Sequence, residues 1–182
     1  MKKALLTLAP GFEEIETVTV VDILRRAGAR VTLAGTVKGL IEGSRGVHIS
    51  PDCLLDDVKD EDFDLIILPG GQPGTDNLKN DRRIVELLKK MDAAKKQIAA
   101  ICAAPMVLHS AGLLHHKMIT SHPSVKSEMN GTQYSEARVV VDGNIITSRG
   151  PGTAMEFAMK LVEVLFDTDR VHTVNKGVMA KI

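Results

Sequence analysis

Gln97-Ile98-Ala99-Ala100-Ile101-Cys102-Ala103-Ala104-Pro105 is the stretch on which the reading of this chain turns. Gln97 to Ile101 is apolar and strand-like, and it stops at Cys102. Met106 to Ala111 follows with helix-compatible residues, and small residues flank the turn on both sides. A strand that passes into a helix within so few residues makes a sharp elbow, which lifts the side chain at its tip to the rim of a sheet. A thiol there lies at a helix N-terminus, whose unpaired amides favour an anion. A free thiol titrates at about 8.5, and such settings bring it to between roughly 3.5 and 7.5. The expectation is a reactive thiolate in an α/β protein. A cysteine that packs as a small buried hydrophobe fits the same pattern, and the local residues leave both readings open.

Working outward, Asp64 to Leu68 is a continuous apolar run that ends at Pro69-Gly70-Gly71, as expected of a parallel strand buried on both faces. Leu5 to Leu8 is a shorter run before Pro10-Gly11. From Glu13 to Ala27, apolar residues recur at Ile15, Val18, Val21, Ile23 and Leu24, with Gly28 just beyond. This is an amphipathic helix with a C-terminal glycine. Arg30 to Ala34 alternates like a strand, and Gly35 to Pro51 has the turn residues of a small hairpin. Asp81 to Ala93 reads as helix. Val139–Val141 and Ile145–Thr147 flank Asp142-Gly143-Asn144, a hairpin signal. Thr153 to Phe166 is a strongly apolar helix, and a last one is expected over Asp169 to Lys176. Strands alternating with helices predict one α/β domain over residues 1–182, with a mainly parallel sheet flanked by helices on both faces.

Composition narrows the function classes. Acidic and basic residues balance at 23 each, and no basic block of five exists, so a nucleic-acid partner has little electrostatic support. Trp is absent and there is a single Tyr, which argues against a base-stacking surface. No apolar run is long enough to span a membrane. The N-terminal stretch from Met1 to Pro10 meets Glu13, Glu14 and Glu16 too soon for a signal peptide, so a cytoplasmic protein is expected. Cys53 and Cys102 make no disulfide framework. No spacing of His, Cys and Asp matches a zinc site, so no metal is expected.

Three regions fall at the C-terminal ends of expected parallel strands, where open α/β sheets bind ligands. In the first, Glu13, Glu14 and Glu16 crowd the first turn of a helix. Capping and solvation account for acids there, but Glu16 points differently from Glu13. Tucked inward beside a thiolate, it would stay protonated and donate a hydrogen bond. In the second, Gly70, Gly71 and Gly74 permit close backbone approach and offer amides as an oxyanion hole. A plain turn is the alternative. The Lys-Ser/Thr ending of a phosphate loop is missing. In the third, His122 of Thr120-Ser121-His122-Pro123 is either a base or relay for a nearby thiol, or a solvated loop histidine.

Taken together, Pro69-Gly70-Gly71, Ala99-Ala100-Ile101-Cys102-Ala103-Ala104-Pro105, Ser121-His122-Pro123 and Thr147-Ser148-Arg149-Gly150-Pro151-Gly152-Thr153 resemble the ThiJ/PfpI superfamily, in its order and at its spacing. Gly11-Phe12-Glu13-Glu14-Ile15-Glu16-Thr17-Val18 resembles the branch of the Parkinsonism-associated deglycase and its bacterial relatives. The resemblance implies a flavodoxin-like, class I glutamine amidotransferase-like sandwich. It implies Cys102 as nucleophile and redox-sensitive thiol, Glu16 as the inward carboxyl bonded to the sulfur, and His122 as the active-site histidine. Gly71 and Ala103 match the oxyanion-type amide donors, beside Gly70. Arg26 and Arg45 match arginines near the pocket that hold anions. A homodimer with the first helix at its interface is implied, and no cofactor. Ala103 stands where the family's protease branch carries a histidine after the cysteine, which argues against peptide hydrolysis. No role transfers to Cys53.

Three functions follow as expectations. The first is a cofactor-free glyoxalase or deglycase acting on methylglyoxal, related dicarbonyls or their glycated adducts through Cys102, with Glu16 and His122 moving protons. The second is an oxidative-stress sensor and redox-regulated chaperone that forms a cysteine sulfinate. The third is a binding module whose cysteine is vestigial. The first helix spreads Ile15, Val18, Val20, Val21, Ile23 and Leu24 over more than half its circumference, beyond what one sheet face covers. A symmetric partner would cover the rest, and Val20 is a candidate to face it.

Overall fold

The structure is a computed structural model that describes residues 1–59 and 63–180. Its elements run β1 (Lys3–Leu8), α1 (Glu14–Arg26), β2 (Arg30–Gly35), β3 (Ile41–Glu42), β4 (His48–Ile49), β5 (Cys53–Leu54), β6 (Leu65–Leu68), α2 (Gly74–Asn80) and α3 (Arg82–Ala93). They continue with β7 (Gln97–Ile101), α4 (Pro105–Ser110), β8 (Met118–Ile119), β9 (Gln133–Tyr134), β10 (Val139–Asp142), β11 (Ile145–Ser148), α5 (Ala154–Leu165) and α6 (Thr168–Val178).

The main sheet has the order β10-β11-β7-β6-β1-β2-β5 and is parallel except for β10. Its central strands are buried on both faces, and their side chains alternate with the period of two that a strand imposes. Ile66, Leu68, Ile98 and Ala100 join Leu78, Ile84, Leu88 and Val107 on the face covered by α2, α3 and α4. Leu65, Ile67, Ala99 and Ile101 join Val20, Leu24, Phe157 and Leu161 on the face covered by α1 and α5. Continuous apolar runs were required because neither face meets water.

Strand order reverses beside β1. The chain leaves β1 toward β2 and β5, then crosses back to add β6 and β7 on the other side. The crevice at the C-terminal ends of such strands is where open sheets bind ligands. Glu16 follows β1, Gly70 and Gly71 follow β6, and Cys102 follows β7, so all three arrive at one rim.

Three local features differ from the sequence reading or are absent from it. The stretch Gly74–Asn80 forms α2, although Thr75, Asp76, Asn77 and Asn80 are poor helix residues; its buried Leu78 anchors it to the core. The helix after the elbow, α4, keeps the expected six residues but starts at Pro105, one residue before the expected Met106. Val20 does not face outward: it is wholly buried in the cluster that α1 shares with α5. The apolar residues that α1 leaves exposed are Ile15, at 56%, and Val18, at 52%. Among the described residues, no helix is long and apolar enough to cross a membrane.

Candidate active site

Cys102 sits at the tip of the elbow with φ +64, a left-handed conformation that costs a non-glycine residue about 1 kcal/mol or more. Two backbone bonds hold it there. Its N–H donates to Ser148 O at 2.9 Å on β11, and its carbonyl accepts from His122 N at 2.8 Å. Ala104 N donates to Ile101 O at 3.0 Å and closes the turn. The thiol is thereby aimed over the ends of β6 and β1.

Glu16 comes from the first turn of α1. Glu13 caps that helix, its carboxylate accepting from Glu16 N at 2.8 Å. The Glu16 side chain then turns inward and is fully buried. Its Oε2 accepts from Gly70 N at 2.7 Å. Oε1 is buried with no hydrogen-bond partner among the described residues, and the Cys102 thiol is the neighbouring group that acts on this carboxyl. Burial pushes Glu16 up to about 7; the charge of Glu13 adds to this, while the Gly70 amide and Cys102 oppose it. Half-protonated near neutral pH, Glu16 can either accept or donate a proton.

The thiol departs from the expectation of a lowered pKa. Burial and then the Glu16 charge push Cys102 up to about 12, against the lowering effect of the Ala103 and Gly71 amides. The sequence places the sulfur beside a helix N-terminus, but burial next to a second acidic group outweighs the lowering effect expected there. The sulfur and the carboxyl therefore titrate as a coupled pair.

Gly70 is small by necessity. A Cβ there would lie 2.6 Å from Cys102 Cβ and 2.9 Å from Glu16 Oε2. Gly71 has φ +90, and a Cβ on it would lie 2.5 Å from Glu13 N and from Gly11 O. These two glycines let the β6 loop run directly over the thiol, which brings the Gly71 amide to the sulfur opposite that of Ala103.

Cys102 opens into a cavity of about 290 Å³ lined by Glu13, Ser44, Arg45, Gln72, His122 and Ser124, among others. Of the expected residues, Cys102, Glu16, Gly70, Gly71, Ala103, His122 and Arg45 are brought together here. Arg26 is not: it lies in the last turn of α1, paired with Asp22 at 2.8 Å on the surface, away from this cavity. His122 is exposed, and what joins it to Cys102 is the backbone bond already described. Its Nδ1 lies 2.7 Å from Ser124 Oγ and accepts from Ser124 N at 3.2 Å. A neutral ring that accepts at Nδ1 carries its proton on Nε2. Ser44, Gln72 and Ser124 were not singled out from sequence, since isolated polar residues in loops carry no signal of their own.

A larger cleft of about 500 Å³ lies beside Cys53, with Arg25, Arg30, Asp52, Asp57 and Lys59 on its walls. Burial, with Asp57 and Asp52 nearby, raises the Cys53 thiol, and no elbow or paired carboxyl activates it. Among the described residues, no group of three or more His, Cys, Asp or Glu side chains is arranged to hold a metal ion.

The sequence pattern of the DJ-1/PfpI family matches residues 2–164. The chain belongs to the DJ-1/PfpI family. It is 45% identical to Protein dj-1beta of Drosophila melanogaster over 181 residues, covering 98% of this chain and 97% of the fly protein. The crystal structure of Drosophila DJ-1beta superposes with a TM-score of 0.97 at 43% identity, covering 100% of this chain and 99% of that one. A Caenorhabditis elegans relative named glutathione-independent glyoxalase DJR-1.2 is 41% identical over 178 residues, covering 96% of this chain and 95% of its own. Oxidized Toxoplasma gondii DJ-1 has a TM-score of 0.96 at 36% identity, with both chains covered completely.

Proposed function

We propose that this protein is a cofactor-independent enzyme that converts methylglyoxal and related dicarbonyls, or their adducts, into hydroxy acids through Cys102. The observation that carries the reading is the buried pairing of the Cys102 thiol with a Glu16 carboxyl poised at about 7. Such a carboxyl is a weak partner for structure and a well-matched one for proton transfer.

As sulfur attacks the aldehyde carbon, the thiol proton passes to Glu16. The C–S bond forms, and the carbonyl electron pair moves to oxygen beside the Gly71 and Ala103 amides. That oxygen takes the proton back from Glu16, which is left as the carboxylate, and the adduct is a hemithioacetal. Glu16 then takes the former aldehyde proton from C1 and delivers it to C2, while His122 gives a proton to the C2 oxygen and recovers one from the C1 hydroxyl. This internal transfer leaves C1 as a thioester and C2 as an alcohol. Water attacks the thioester, the C–S bond breaks, and lactate leaves with Cys102 restored. One water is consumed and no external oxidant or reductant is needed. Glycated adducts would enter the same scheme when Cys102 displaces the adduct's amine or thiol from C1, which forms the same hemithioacetal and releases the amine or thiol with its proton.

Lactate formation from methylglyoxal, followed enzymatically against protein-free blanks, tests the reading. Wild type should turn over, Cys102→Ser should be inactive, and Glu16→Gln should lose about 10²- to 10⁴-fold, as for removal of a general acid–base. Turnover by Cys102→Ser at the wild-type rate would refute it.

A second reading is favoured by one feature of the same pair. A protonated Glu16 and the amides of Gly71 and Ala103 can stabilise an oxidised sulfur, which suits a peroxide sensor that forms a sulfinate at Cys102. On either reading the protein is taken to act in the cytoplasm as a homodimer, with exposed Ile15 and Val18 of α1 covered by the second copy.

A further inference from the structure

Glu13, Glu14 and Glu16 share one helical turn, and each has a separate task. Glu13 caps the helix and Glu16 faces the sulfur. Glu14 turns the other way, into the loop between β3 and β4. It is only 8% exposed. Its Oε1 accepts from Arg45 N at 2.6 Å and from Val47 N at 3.4 Å, and its Oε2 accepts from Ser44 Oγ at 3.2 Å. Gly43 clears room for it, since a Cβ there would lie 2.5 Å from Oε1. Burial alone would raise this carboxyl, but the bonds from the Arg45 and Val47 amides and the Ser44 hydroxyl hold it below the usual carboxylate range.

The segment from 43 to 47 is thus folded around one carboxylate. The same segment supplies Ser44 and Arg45 to the wall of the Cys102 cavity. Arg45 is the only Lys or Arg among the described residues on that wall, where it stands with the carboxylate of Glu13. Its guanidinium also donates to Ser44 O at 3.2 Å, so the two residues move together.

We propose that Glu14 is a positioning residue: by clasping the loop at Ser44, Arg45 and Val47 it fixes Arg45 at the cavity and so sets the preference of Cys102 for anionic over neutral electrophiles. The inference rests on the reading of Cys102 as the nucleophile. Glu14 touches neither substrate nor sulfur in this scheme, and its effect passes through the backbone of the loop.

The ratio of Cys102 alkylation rates by iodoacetate and iodoacetamide, measured at low ionic strength with peptide mapping, reads this directly. Both reagents form the same C–S bond and release iodide, and they differ only in charge. Glu14→Ala should lower the ratio about three- to fivefold, the size expected for one unit charge displaced from about 5 Å in water. Simple removal of a negative charge would raise the ratio instead, so the sign separates position from field. Gly43→Ala should give the same fall by pushing the Glu14 carboxylate out of its clasp while leaving its charge in place, and it carries the test if Glu14→Ala does not fold. Glu14→Gln keeps an acceptor for both amides and should stay within twofold of wild type. In an Arg45→Ala background, Glu14→Ala should add nothing. An unchanged or raised ratio in Glu14→Ala or Gly43→Ala, or independent effects of Glu14 and Arg45, would overturn the proposal. A wild type that forms no lactate would refute the enzymatic reading while leaving these ratios readable.

Discussion

Burying Glu16 makes stability depend on pH in a way that one substitution can remove. Unfolded, this carboxyl titrates at its ordinary value of 4.5; folded, burial and the nearby Glu13 raise it to about 7. Below 4.5 it is protonated in both states and costs nothing. Between 4.5 and about 7 the unfolded chain gives up this proton while the folded protein still holds it, so stability falls with each step of pH and levels off once both states are ionised. At 1.36 kcal/mol for each pH step between the two values, the loss is about 3 kcal/mol above pH 8. Glu16→Gln has the shape of the protonated acid and can still accept from Gly70 N, so it does not incur this cost. The comparison is made in a Cys102→Ser background, where the sulfur does not titrate. Urea melts of Cys102→Ser with and without Glu16→Gln should agree near pH 4.5 and diverge by about 3 kcal/mol at pH 8.5, with the Gln variant the more stable. In thermal melts this corresponds to about 6–12 °C for a chain of this size. A difference that stays flat between pH 5 and 8.5 would show that Glu16 is not a buried acid with a raised pKa, and the proton-transfer role would fall with it.

The remaining expectations concern space, surface and oxidation. Gly70→Ala puts a Cβ 2.6 Å from that of Cys102; we expect a stability loss of about 1–3 kcal/mol by urea titration and at least a tenfold fall in lactate formation, and a fully active variant would contradict the tight approach. Val18→Glu on the exposed side of α1 should shift a dimer toward monomer in light scattering over a dilution series, whereas a wild-type monomer at micromolar concentration would remove the dimer from the proposal. Mild peroxide should add two oxygen atoms at Cys102 by intact mass and peptide mapping, and Glu16→Asp should slow this or change the product; identical profiles would take Glu16 out of sulfinate stabilisation.

Most of the sheet was legible because its strands are buried on both faces. Leu65–Leu68 and Gln97–Ile101 carry no polar residue beyond Gln97, so their state was set by composition alone. Likewise α1 declared both of its ends, through Glu13 before it and Gly28 after it. The two-residue strand β5 and the helix α2 were not legible, because tertiary packing rather than local propensity holds them: Leu78 is the one large apolar residue in α2. The elbow and the inward turn of Glu16 followed from spacing and resemblance. The direction of the thiol's pKa did not, because it depends on how deeply neighbouring segments bury the sulfur. Arg26 was misplaced for a similar reason: nothing local distinguishes an arginine that reaches a pocket from one that pairs with Asp22, four residues earlier on its own helix. Glu14 was hidden by its neighbours, since three acids in a first turn look like one cap.

The bond from Cys102 N to Ser148 O has a consequence for synthesis. β7 lies between β6 and β11, so the elbow is complete only when β11 has been made and has paired. At about 5–20 residues per second, Cys102 leaves the ribosome on the order of 2 to 10 s before Ser148 does. Through that interval the chain carries an ordinary thiol, open to any oxidant or electrophile and with no carboxyl to share its proton. The newborn protein is thus exposed to unselective damage at the very atom on which its proposed activity depends, and the last parallel strand to join the sheet ends that exposure.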